Sequence, residues 1–163
     1  MKRLVISMLL TGLVFCLTAG AAEPAAIESA PQIGSAAPEL ALPNLEGKTV
    51  SLQNFQKPVI LVFFTSWSKS CQTELKDLQA YYTTDNHPSV EVVAVSFDKK
   101  QKDVKKFAAE NEITFPILLD KKLTSLDNFQ ILIIPTTFCI NQEGLIEKIF
   151  VDYDDNVKAS LIP

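Results

Sequence analysis

From Val59 to Phe64 the chain reads Val-Ile-Leu-Val-Phe-Phe, a stretch without one polar side chain. Such a run offers water no face, and it predicts a strand covered on both sides of a sheet. Immediately downstream, Cys71, Leu75, Leu78 and Tyr82 recur at three- and four-residue intervals across Ser68–Tyr82. That spacing predicts an amphipathic helix, and hydroxyl residues at its start are suited to capping. A buried strand that runs straight into a helix points to an α/β sheet with helices packed on its faces.

The rest of the domain fits that plan. Leu40-Ala41-Leu42 and Val50-Ser51-Leu52 flank Asn44-Leu45-Glu46-Gly47, a hairpin signal. Val90 to Phe97 reads as a second buried strand, Asp103 to Asn111 as a lysine-rich helix, Phe115 to Leu119 as a shorter strand and Leu123 to Phe129 as a short helix. Thr136 to Asn141 and Leu145 to Asp152 close the domain as a hairpin around Gln142-Glu143-Gly144, and Val157 to Ile162 forms one or two helical turns. The expected order is hairpin, β, α, β, α, β, short α, β, β.

The amino terminus has a different character. Lys2 and Arg3 precede an apolar run from Leu4 to about Thr18, and Ala19-Gly20-Ala21-Ala22 follows. This is the pattern of a secretory signal over residues 1–22, cleaved before Ala22 or Glu23. The run is short for a membrane span, which takes about 20 apolar residues, so membrane attachment is expected only if the signal stays uncleaved. Phe15 before Cys16 argues against lipidation there. Residues 23–33 are rich in Ala, Pro and Glu and read as a flexible leader, leaving 34–163 as one domain. Export places that domain in an extracytoplasmic, oxidising compartment, the periplasm being the first choice and a secreted or membrane-anchored form the alternatives.

Composition then removes several chemistries. Losing Lys2 and Arg3 leaves 13 of the 15 basic residues against 19 acidic ones, a net charge of −6, which disfavours nucleic acid. Arg3 is the only arginine, Met1 and Met8 are the only methionines, and His87 is the only histidine. Such a mature chain builds no histidine-rich zinc site, no Met/His copper site and no arginine clamp for phosphate. His87, in a turn-rich stretch, reads as a loop residue. Lys99, Lys100, Lys102, Lys105 and Lys106 read as a solvated helix face. Asp152, Asp154 and Asp155 lack the spacing of a calcium loop and read as turn and helix-entry residues.

Several patterns now converge on one family. Gly34-Ser35-Ala36-Ala37-Pro38, the Gly47 hairpin, Lys57-Pro58 leading into Val59 to Trp67, then Ile134-Pro135-Thr136-Thr137-Phe138 and Gly144 resemble, in order and spacing, the extracytoplasmic TlpA/ResA-like, AhpC/TSA-related branch of the thioredoxin superfamily. The resemblance covers about residues 34–152. It implies a thioredoxin-like α/β fold, a central mixed β-sheet flanked by helices with an N-terminal β-hairpin extension. It also implies a redox site at the start of the first long helix, facing a cis-proline at Pro135. Trp67, Ile134 and Pro135 would line the substrate surface, and no cofactor is implied.

The chain departs from the family at one telling place. The family motif is W-C-x-x-C, whereas here Trp67-Ser68-Lys69-Ser70-Cys71 puts Ser68 where the attacking cysteine belongs. A hydroxyl has no disulfide to form, so a two-thiol cycle within the motif is impossible. Cys71 remains as the candidate redox centre. The helix N-terminus and Lys69 favour its thiolate, whereas Glu74, one turn on, opposes it. In relatives a carboxylate at the Glu74 position is associated with proton handling, while the buried Asp of the thioredoxin branch is Val62 here. Cys71 could equally be a buried small hydrophobe. Cys139 reads as a core residue, about 13 Å along the strand from Pro135 and too far to bridge Cys71.

Three functions follow from these residues. The first is an exported thiol protein limited to monothiol disulfide or peroxide chemistry, its partners a thiol- or disulfide-containing protein or an external reducing thiol. The second is a non-catalytic module that binds an extended polypeptide. The third is a one-cysteine peroxidase, since Ser68-Lys69-Ser70-Cys71 matches the end of the peroxiredoxin P-x-x-x-[TS]-x-x-C motif. That motif's proline is Phe64 here, and its arginine is missing.

Overall fold

In a computed structural model, described over residues 30–84 and 89–162, the apolar run becomes the middle of a five-stranded sheet. The expectations for the signal segment and for His87 fall outside the described residues. The sheet strands are β3 (Val59–Phe64), β4 (Glu91–Ser96), β5 (Ile117–Leu119), β6 (Thr136–Ile140) and β7 (Ile146–Val151), in the spatial order β5-β4-β3-β6-β7. β3 and β4 are parallel, as are β4 and β5, whereas β6 and β7 run antiparallel. A separate hairpin, β1 (Ala41–Pro43) with β2 (Thr49–Ser51), leads into the domain. Gly47, at φ 84, closes its turn in the left-handed region, where a side chain is rarely tolerated.

Parity along the strands sorts the core into two layers. Ile60, Val62 and Phe64 face one way with Val92, Ala94 and Ile117, and onto them pack α1 (Lys69–Thr84), α2 (Gln101–Glu110) and Leu161 of α4 (Asp155–Leu161). Val59, Leu61 and Phe63 face the other way with Val93, Val95 and Leu118. Leu40 and Leu52, which flank the hairpin, and Phe129 at the end of α3 (Thr124–Asn128), cover that side. Right-handed crossovers from β3 to β4 and from β4 to β5 account for α1 and α2 sharing a face. Every residue of β3 is buried, so the strand's C-terminal end fixes where α1 begins.

Candidate active site

Beyond Phe64 the chain turns through Thr65, Ser66 and Trp67, and the turn is held from the next strand. Asp98 accepts hydrogen bonds from the Ser66 amide (2.8 Å), the Ser66 hydroxyl (2.8 Å) and the Ser96 hydroxyl (2.9 Å). The Gln72 side-chain amide donates to the Ser66 carbonyl at 2.7 Å. Ser68 occupies the N-cap position of α1. Its carbonyl accepts the first intrahelical bond from the Gln72 amide at 2.9 Å, and its Oγ lies 3.5 Å from the Cys71 amide, the outer limit of a capping contact.

Cys71 is fully buried, packed with Phe64 and Leu75 in the layer under α1. Burial pushes its thiol above the usual range; the Ser68 hydroxyl and the Thr65 backbone pull it back, and Glu74 adds to the rise. Desolvation therefore outweighs the groups that favour the thiolate. Glu74, 1% exposed, accepts a hydrogen bond from the Thr137 hydroxyl at 2.6 Å through Oε1, while its Oε2 is buried with no partner among the described residues. Burial raises the carboxyl to about 7, Thr137 restrains the rise, and the negative charge of Asp152 adds to it.

The opposite wall is the turn into β6. The Ile134–Pro135 peptide bond is cis, and the pairing of Phe63 with Thr136 brings Pro135 alongside the end of β3. Asp152, at φ 66, joins this turn to the helix: its amide donates to the Pro135 carbonyl at 2.8 Å, and its carboxylate accepts from the Ser70 hydroxyl at 2.8 Å. Ile134 packs against the layer that holds Cys71. Of the expected surface residues, only Trp67 faces solvent, at 73% exposure; Ile134 is half-buried and Pro135 is buried. Phe64, just before the turn, lies in the core.

Cys139 is a half-buried free thiol opposite Ile60, toward the far end of the β3–β6 pair, and burial is the main reason that it rises to about 11. Among the described residues no group of three or more His, Cys, Asp or Glu side chains converges on a metal position. Sequence reasoning missed Thr137 as the partner of Glu74, Asp98 as the anchor of the turn, and Leu132 and Ile133 as exposed apolar residues before the cis-proline. Thr137 had a readable signal: strand alternation puts it on the same face as Cys139, toward α1.

A parallel β-α-β unit completed by an antiparallel pair, with a sulfur in the first helical turn and a cis-proline across from it, defines a thioredoxin-superfamily protein. More narrowly, the AhpC/TSA family profile matches residues 33–149, and the chain belongs to that family. It is 39% identical over 109 residues to the sporulation thiol-disulfide oxidoreductase A of Bacillus subtilis, covering 64% of this chain and 65% of that relative, just under two thirds. It is 33% identical over 123 residues to the thiol-disulfide oxidoreductase ResA of Geobacillus thermodenitrificans, covering 75% and 71%. Among solved structures, a putative thiol:disulfide interchange protein DsbE from Chlorobium tepidum superposes with a TM-score of 0.72 at 29% identity, over 81% of this chain and 94% of that one. The fold is thus that of ResA-like thiol-disulfide oxidoreductases.

Proposed function

We propose that the chain acts outside the cytoplasm as a one-thiol ResA-like protein, with Ser68 in place of the attacking cysteine and Cys71 as its redox centre. The observation that carries the reading is the position of Cys71, in the first turn of α1 beside a carboxyl that exchanges its proton near neutrality, with the other described sulfur at the far end of β3. Glu74 accepts the Cys71 proton when the first helical turn opens. The thiolate then attacks a substrate disulfide, forming one S–S bond and breaking another, and the departing thiolate takes up a proton. An external thiol restores Cys71–SH by exchange with the mixed disulfide. The positively charged start and apolar run at residues 2–18 support export. Iodoacetamide tests the nucleophile: labelling of Cys71 in the folded protein is expected at least ten-fold slower than that of a free thiol but measurable. Complete protection in the fold, with full labelling in urea, removes the thiol reading.

The burial of Cys71 favours a second reading, a module that binds an extended polypeptide. Trp67, Leu132 and Ile133, at 73%, 94% and 53% exposure, supply apolar surface without chemistry. Under this reading C71A binds its partner as the parent does; under the first, the covalent adduct with a disulfide substrate disappears.

A further inference from the structure

Away from α1, a cleft of about 600 Å³ opens between the β1–β2 hairpin, the first residue of α2 and the turn after β5. Its volume is that of a small-molecule site, and its floor is apolar, with Leu42 and Pro43 on one side and Leu119 on the other. The cleft lies at the carboxyl end of β5, one of the three parallel strands. That is the end of an α/β sheet at which ligands collect. β1 is brought there by an antiparallel bridge between Asn44 and Leu118.

The rim is positively charged. Lys121 and Lys122 both line the cleft, and among the described residues neither has a carboxylate within ion-pair distance. The carboxylate that also lines it, Asp120, is committed elsewhere: its oxygens accept from the amides and hydroxyls of Thr124 and Ser125 at 2.6 to 3.3 Å. Gln101 ties the two walls together, donating to the Leu45 carbonyl at 2.9 Å and accepting from the Lys121 ammonium at 3.5 Å. On a chain of net charge −4, this is a local excess of unpaired cations over an apolar floor.

The geometry points to a binding site for a small organic anion with an apolar body, of the medium-chain carboxylate class, its tail on Leu42, Pro43 and Leu119 and its head between Lys121 and Lys122. The inference does not rest on the thiol reading, since no residue of this cleft belongs to the Cys71 site. Sodium octanoate is the probe, followed by amide resonances of the isotope-labelled protein. Saturable shifts are expected at Gly47, Gln101 and residues 119–124. The K121A/K122A variant is expected to bind about ten-fold more weakly, as for the loss of two partly exposed charge contacts, with its thermal midpoint unchanged. Octylammonium, equal in length and opposite in charge, is expected to give no saturable shift. The site is overturned if octanoate shifts nothing saturably or shifts a different surface, if octylammonium binds as well, or if the double variant keeps the parent affinity.

Discussion

Glu74 has one carboxylate oxygen bonded to Thr137 and the other sealed from water with no partner among the described residues, so the fold prefers it protonated. Its folded value of about 7 stands above the ordinary 4.5. Between those limits Glu74 holds more proton in the native state than in the unfolded chain, and its contribution to stability falls as pH rises from about 4.5 to about 7, then levels off. The loss is on the order of 3 kcal/mol. E74Q, which cannot ionise, is expected to be more stable than the parent by about 2–3 kcal/mol at pH 8 and to match it within about 1 kcal/mol at pH 5, read by urea unfolding. Ser68 invites the converse change. Its hydroxyl lies within hydrogen-bonding reach of the Cys71 sulfur, so S68C is expected to form a disulfide with Cys71 in oxidised glutathione, seen as the loss of two hydrogens in the intact mass. The variant is also expected to speed dithiothreitol-driven insulin reduction at least several-fold over the parent, whose single thiol turns over only through the external thiol.

At the scale of elements, the turn between β3 and α1 is held less by its own residues than by Asp98, which follows β4. D98A leaves the Ser66 and Ser96 donors without their acceptor and is expected to cost about 2–3 kcal/mol. It also frees the turn over Cys71, so iodoacetamide labelling in the folded protein is expected to accelerate several-fold. None of this coupling is local in sequence, which is why Asp98 reads there only as an acid among lysines. Where one face or both faces of an element are apolar, the chain is legible: β3 runs over Val59–Phe64 as its composition predicts, and α1 extends the predicted Ser68–Tyr82 by two residues while giving Ser68 up as its cap. β5 begins at Ile117 rather than Phe115 because Pro116 has a carbonyl to offer Ala94 but no amide to return. Burial of Cys71 was one of two readings left open by spacing alone. Its resolution needed the tertiary core layer that Cys71 shares with Phe64 and Leu75, which no local pattern encodes.

Taken whole, the molecule is two apolar layers back to back on one sheet, and β3, β4, β5, β6 and β7 each contribute residues to both. Opening either layer strips a face from the strands that support the other, so unfolding followed by far-ultraviolet circular dichroism is expected to be a single step. Net negative charge keeps the surface acidic, and the lysine pair beyond β5 stands out against it. The lone indole, meanwhile, is on the outside, at the lip of the Cys71 turn. At 73% exposure its emission is expected to be that of a wetted fluorophore, so denaturation is expected to move the maximum by only a few nanometres, about 5 or less, while a macromolecule that settles over the lip is expected to shift it to the blue. The chain thus carries a built-in optical reporter that is nearly blind to its own collapse and awake to company.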